Sequence, residues 1–259
     1  MDQKQRLAAI WDASVQKMQE VVREFKITQD ELHIAGDYFN RLGQSGFSRS
    51  LVDVALAMTS VDVIDGVRGG TRPNLEGPYH GKHQPRPTGQ MLDRGILPTE
   101  TRLTLTGTVT EAISGTPLPG VTLDFWQADG EGIYDLTGSN LRGVVISDKD
   151  GRYKIETVLP SDYSQHDHDP IGELFRAMGR PNSRAAHIHL KASINGKEYL
   201  TTQFFMPTSK LLKDDYVKGA VSEDLTISLQ PDGNDERGKP CLRSEFDIRL
   251  AGIARCKVA

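Results

Sequence analysis

Cysteine is almost missing from this chain: Cys241 and Cys256 are the two it has. Two cysteines cannot frame the disulfide scaffold of a small secreted domain. Their separation would permit one bridge, but a reducing cytoplasm is the simpler expectation. Long apolar runs are missing too, since none approaches the roughly 18 residues that suggest a membrane-spanning helix. The first thirty residues are polar and hold no apolar core of the kind that marks a secretory leader, so none is expected there. Basic charge is not in excess: 31 Lys and Arg stand against 35 Asp and Glu, a net charge of −4. No basic face is advertised, which argues against a nucleic-acid partner. Internal repeats and low-complexity tracts are absent as well. What is left is an ordinary globular composition, 37% hydrophobic and 25% charged. The length allows one large domain or two small ones.

The N-terminal part reads as helix. Over residues 4–26, Leu7, Trp11, Met18, Val22 and Phe25 recur at three-, four- and seven-residue steps, with Gln, Glu, Lys and Arg between them. Thr28-Gln29-Asp30-Glu31 has the form of a capping box and opens a second helix ending near Gly43. A third runs over roughly 49–65, with Leu51, Val54, Ala55, Met58 and Val61 apolar, and Asp65-Gly66 stops it. Such stripes fit a layer against a sheet or a dimer interface. From Gly66 to Thr101 glycine, proline and charge take over. A span this long without regular structure is usually functional or disordered. His80 and His83 form a His-x-x-His within it. With no helix to aim them together, they read as surface or pocket-wall residues.

After Thr101 the period changes to two. Leu103, Leu105, Gly107 and Val109 alternate with Thr, and Val121, Leu123 and Phe125 with Thr and Asp. Pro119-Gly120, Asp148–Gly151 and Asn195-Gly196 are turn signals, the last a hairpin signal. Further strands are expected at Leu225-Ile227-Leu229 and Phe246-Ile248-Leu250. Short strands with frequent turns predict a mainly β fold. A helical and linker region over 1–100 is expected to precede a β-sandwich over 101–259.

The chemistry gathers on Arg184-Ala185-Ala186-His187-Ile188-His189. On a strand, His187 and His189 share a face, and two neutral imidazoles side by side make half of a metal site. Alone, they could equally be polar residues on an edge strand. A competing motif, Gln165-His166-Asp167-His168-Asp169, pairs a second His-x-His with carboxylates that would suit zinc. It falls in a loop with no regular period, so its side chains need not share a face.

Several fragments together resemble one family. They are Leu75-Glu76-Gly77-Pro78-Tyr79, Leu105–Val109, Gly115–Val121, Asp124-Phe125-Trp126-Gln127-Ala128, Gly132-Ile133-Tyr134, Gly179-Arg180, Arg184-x-x-His187-Ile188-His189 and Leu200-Thr201-Thr202-Gln203. The set resembles the intradiol ring-cleavage dioxygenases of the catechol 1,2-dioxygenase type over nearly the whole chain. It departs in having Ala185 and Ala186 where the family often has proline, and in the His- and Asp-rich loop Ser164–Pro170. The resemblance implies ferric iron, Fe(3+), held by Tyr134, Tyr163, His187 and His189. That agrees with donor chemistry, since a hard ferric ion favours phenolate oxygen. It implies that Tyr163 yields its place to an incoming catechol and takes one of its protons. It also implies that Arg184 stabilises negative charge and that Gln203 orients by hydrogen bonding. Substrate contacts are implied at Ser50, Asp53, Val54, Leu75, Gly77, Tyr79, Tyr216 and Val217.

The further implications are O2 as co-substrate and a homodimer through the N-terminal helices, with a phospholipid in some relatives. Asp53 points to a chlorinated or hydroxylated catechol rather than catechol itself. Two other readings stand beside this one: a non-catalytic β-sandwich binding module, and a zinc hydrolase built on His166 and His168.

Overall fold

The computed structural model describes residues 1–65, 69–81 and 83–253, so Gly66 and Cys256 lie outside the described residues. The chain divides into two compact units, Met1–Arg49 and Ser50–Ala259. The first holds helices α1 (Gln3–Phe25) and α2 (Gln29–Ser45). A capping box opens each: Asp2 with Gln5 for α1, and the expected Thr28 with Glu31 for α2. Helix α2 runs past Gly43 because Gly46, at φ 80°, provides the left-handed residue that ends it. No residue of α1 is buried, and Leu7, Trp11, Met18 and Phe25 are each more than 60% exposed.

The expected third helix comes in three pieces: α3 (Ser48–Val52), a π-helical turn (Asp53–Ala57) and α4 (Met58–Asp65). The π turn widens the helix at Asp53 and Val54, a distortion that recurs at functional sites. The sandwich follows. One sheet is built on β1 (Arg102–Glu111), which pairs antiparallel with β4 (Arg152–Val158). Its first half also runs parallel to β10 (Pro240–Glu245) and its second half to β11 (Ile248–Leu250). The switch happens at Gly107, where a Cβ would collide with the Phe246 carbonyl oxygen. β9 (Gln230–Asn234) closes this sheet's edge. The second sheet has the order β3 (Arg142–Ile146), β2 (Thr122–Gln127), β7 (His187–Ile194), β8 (Lys197–Phe205). Asn195 and Gly196, both at positive φ, turn β7 into β8 as the hairpin signal predicts.

Alternation then sorts the side chains. Leu103, Leu105, Leu123, Phe125, Ile188, Leu190 and Phe204 fill the space between the sheets. The opposite face of the second sheet carries the residues in between. There Arg142, Trp126, His189 and Gln203 stand opposite one another on four adjacent strands.

One expected strand is replaced. Leu225 and Ile227 are buried, but the first ends a 3-10 turn at Glu223–Leu225 and the second follows it, with a single bridge from Thr226 to Phe205. The burial that alternation predicts is met without a ladder. β9 was not expected: it is a polar, exposed edge strand with no apolar alternation to announce it. The described part of the glycine- and proline-rich stretch is tied down across both sheets. Backbone bonds join Asn74 to Thr201, Arg86 to Val144 and Met91 to Glu156. Among the described residues, no helix is long and apolar enough to cross a membrane.

Candidate metal centre

Four of the expected residues meet on the outer face of the second sheet. His187 and His189 are two apart on β7, and both are buried. Tyr134 comes from the loop between β2 and β3, held between two turns built by Asp129 and Asp135 accepting backbone N–H groups. Tyr163 starts the short strand β5 (Tyr163–Ser164), which pairs with β6 (Ser183–Arg184) so that Tyr163 faces Arg184. The Nε2 atoms of His187 and His189 are 3.0 Å apart, and His189 Nε2 is 3.1 Å from the Tyr134 hydroxyl. The Tyr134 and Tyr163 rings meet edge to face with centroids 5.2 Å apart.

Protonation follows from burial. Desolvation, then the Arg184 charge, holds His187 well below the usual imidazole range. Desolvation, then His187, does the same to His189. Both are neutral at pH 7. The His187 Nδ1–H donates to the Ala185 carbonyl at 2.6 Å, which leaves the Nε2 lone pair pointing inward. Burial raises the Tyr134 phenol well above its ordinary value and pushes Tyr163 up to about 12. The centre thus brings two imidazoles and two phenols together with no carboxylate among them. Lone-pair donors crowded this closely, in a site without an anion, fit a cation that takes nitrogen and phenolate oxygen, as ferric iron does. Zinc sites instead favour thiolate, imidazole and carboxylate.

The surroundings are specific. Trp126 stacks on His189 at 4.6 Å with the rings 4° from parallel. Gly77, at φ 72°, lies against His189: a Cβ there would be 3.3 Å from the ring's Cε1. Arg184 Nε donates to both oxygens of Asp215 at 3.0 and 3.1 Å, and its NH2 donates to Gln203 Oε1 at 2.7 Å. Gln203 Nε2 in turn donates to the Leu75 carbonyl at 2.8 Å. Tyr79 packs over Tyr134, with centroids 4.4 Å apart. Tyr216 and Val217 are buried and follow Asp215, whose Oδ1 accepts from the Val217 N–H. The next residue, Lys218, donates its N–H to the Val54 carbonyl. Ser50 and Asp53 are half-buried on the same helical run as Val54.

Sequence reasoning gave no role to Asp215 or Trp126. Asp215 arrives from a distant loop with no local pattern. Trp126 could have been found, because it is two residues from Asp124 on a strand and so shares its outward face.

The zinc reading fails on geometry. His166 is buried and bonded through Nδ1 to Asp169 at 2.6 Å, while His168 is exposed, so the two do not converge. Among the described residues, one cluster of His and carboxylate groups does have its donor atoms within ligand range: His80, His83 and Asp124. Its groups are already paired. Arg142 lies 3.3 Å from His83 Nε2 and can only donate, so His83 Nδ1–H faces Asp124 Oδ1, and His80 Nε2 meets Oδ2 at 3.0 Å. Both rings pack on Trp126, with centroids at 4.7 and 5.7 Å.

Comparison with known proteins follows the same line. A family described as Dioxygenase matches residues 75–252. Catechol 1,2-dioxygenase of Acinetobacter baylyi is 30% identical over 257 residues, covering 90% of this chain and 81% of that protein. Hydroxyquinol 1,2-dioxygenase of a Rhizobium species is 30% identical over 239 residues, covering 87% and 80%. The crystal structure of 3-chlorocatechol 1,2-dioxygenase from Rhodococcus opacus 1CP superposes with a TM-score of 0.85 over 96% of this chain and 99% of that one. At 24% identity that likeness speaks for the fold. With most of its length matched to the Dioxygenase family and its relatives named for cleaving aromatic diols, this chain belongs to the iron-using intradiol ring-cleavage dioxygenases.

Proposed function

We propose that the chain is an Fe(III)-dependent dioxygenase that cleaves a substituted catechol between its two hydroxylated carbons. Both atoms of O2 enter the product, a cis,cis-muconate-type dicarboxylate, and two protons are released. The observation that carries this reading is the convergence of Tyr134, Tyr163, His187 and His189, two neutral imidazoles with two buried phenols. These four would hold the metal. Iron, when bound, would favour the phenolate forms of the two tyrosines at neutral pH and supply Lewis acidity toward an aromatic diol.

The chain's own groups do the rest. Tyr163, on a two-residue strand at the edge of the site, would be the group that accepts a proton from the incoming catechol. Arg184 stabilises negative charge that develops on the ring, since its guanidinium is fixed on one side by Asp215. Gln203 holds Arg184 through its Oε1. Ser50, Asp53, Val54, Leu75, Gly77, Tyr79, Tyr216 and Val217 form the substrate pocket in this reading. The protein works as a cytoplasmic homodimer through α1 and α2, and the apolar side chains that α1 exposes could hold a phospholipid between subunits.

The test is direct. Protein purified with iron should be wine-red from tyrosinate-to-iron charge transfer, and should convert a catechol to a muconate with uptake of one O2. A colourless protein that is iron-replete by metal analysis would end this reading and leave the β-sandwich binding module in its place.

A further inference from the structure

The donors of the metal centre come from three segments that no common ladder joins. Tyr163 lies on β5, which forms a two-stranded sheet of its own with β6, separate from the sheet that holds His187 and His189. The link between Tyr163 and His187 is made one residue earlier on each segment. Asp162 Oδ1 accepts from the Ala186 N–H at 2.8 Å, so the residue before Tyr163 grips the residue before His187. The same oxygen accepts from the Ser209 hydroxyl at 2.5 Å, and Oδ2 accepts from the Lys210 N–H at 3.3 Å. These three donors lie 24, 47 and 48 residues away in the chain, so the carboxylate is not capping a local turn. Beyond the end of β8, the Met206 N–H donates to the Ala186 carbonyl at 2.9 Å and holds the Ser209 turn to the same place.

The third segment meets Asp162 through its backbone. A Cβ on Gly132, two residues before Tyr134, would lie 2.7 Å from the Asp162 carbonyl oxygen and 3.1 Å from Tyr163 Cβ. Glycine there lets the Tyr134 loop close onto the Tyr163 segment. Ser161 adds two more ties, its N–H donating to the Asp129 carbonyl at 3.1 Å and its hydroxyl to the Gly130 carbonyl at 2.7 Å. On the His187 side, Ala185 and Ala186 both use the N–H that a proline would lack. Ala185 donates to Asp215 Oδ2 at 2.8 Å, and Ala186 donates to Asp162. Two carboxylates from distant loops therefore hold the stretch between Arg184 and His187.

We infer that Asp162 is a positioning residue of the metal centre, whose carboxylate sets Tyr163 against His187 independently of the metal. The inference rests on the iron-centre reading above. An ionised acceptor makes a stronger anchor than a neutral one. Groups that orient metal ligands from outside the coordination sphere change affinity by roughly ten- to one-hundred-fold when removed.

The experiment reloads the metal-free chain and its Asp162→Ala, Asp162→Asn and Asp162→Glu variants with ferric iron. Iron affinity is read by competition with a chelator, the tyrosinate-to-iron band by visible spectroscopy, and metal-free stability by urea midpoint. Asp162→Ala should bind iron roughly ten- to one-hundred-fold more weakly, with the band displaced. Asp162→Asn keeps an oxygen for the Ala186 N–H and should recover most of that affinity. Asp162→Glu keeps the charge but carries it one methylene further from its own backbone. It must move the Tyr163 segment or Ala186, and should again weaken binding. The parent's affinity and band in either Asp162→Ala or Asp162→Glu, whatever the urea midpoint, would reduce Asp162 to a stabilising contact and overturn the inference. If Asp162→Ala does not fold, Asp162→Glu decides alone by the same two readouts. A parent chain that binds iron without a tyrosinate band would instead overturn the iron-centre reading beneath it.

Discussion

Arg184 and Asp215 are both almost fully buried, and their pairing settles how Arg184 can be tested. Removing one partner of a buried ion pair strands the other, at about 3–5 kcal/mol. Arg184→Ala therefore mixes stability with catalysis. Arg184→Lys keeps a charge for Asp215 but gives up the guanidinium fork that also reaches Gln203. We expect it to retain iron and colour while kcat falls roughly 100-fold or more, the loss typical of one charge-stabilising donor. Undiminished turnover would remove the role given to it. Tyr134→Phe and His189→Ala should instead lose iron and colour together, read by metal analysis.

The metal-free protein makes a pH prediction. Burial pushes Tyr163 up to about 12 and raises Tyr134 well above its ordinary value, against about 10 for an unfolded tyrosine. Between those values the unfolded chain gives up protons that the folded chain keeps. Stability should therefore fall as pH rises from about 10 toward 12, by about 1.4 kcal/mol per pH unit for each group. Iron-loaded protein, with its phenols already ionised, should not show the loss. Urea midpoints measured with and without iron across that range check it. At this scale the two histidines were legible because period two fixes their shared face. Asp215 and Asp162 were not, since what matters in each is a contact with a segment distant in the chain.

At the scale of elements, the outer face of the second sheet is a register effect. Arg142, Trp126, His189 and Gln203 align because β3, β2, β7 and β8 pair without a slip across that row. A one-residue slip would turn His189 into the core. The alternation in β1, β2 and β4 and the Asn-Gly turn made the sandwich readable. β9 escaped because an exposed polar edge strand has no apolar face to pattern. The π turn escaped too, since nothing in Asp53-Val54-Ala55-Leu56-Ala57 breaks a helical period. Gly107 is the most crowded glycine on the strands of the first sheet. Gly107→Ala would drive a methyl into the Phe246 carbonyl and separate β11 from β1, while Gly46→Ala meets open space and pays only for a left-handed backbone. We expect Gly107→Ala to cost more than 3 kcal/mol, against about 1–2 kcal/mol for Gly46→Ala. Chemical denaturation of the two variants compares them, and equal losses would refute the crowding argument.

For the molecule as a whole, the exposed apolar side chains of α1 are the largest unresolved demand. Leu7, Trp11, Met18 and Phe25 on one helix make a patch that a monomer has no reason to keep. Sedimentation should show a dimer at micromolar concentration, and Trp11→Glu together with Phe25→Glu should shift it to monomer. A parent chain that sediments as a monomer would leave the patch without an occupant.

The two tryptophans of the chain have opposite settings, and this makes the protein its own optical gauge. Trp126 has no exposure and lies flat on His189, whereas Trp11 is 69% exposed on a single chain. Emission from the first, blue and shielded, should be quenched as ferric iron fills the centre one imidazole away. The redder emission of the second should respond to association of subunits and remain indifferent to iron. One excitation wavelength would then read cofactor occupancy and assembly in the same cuvette, without a label.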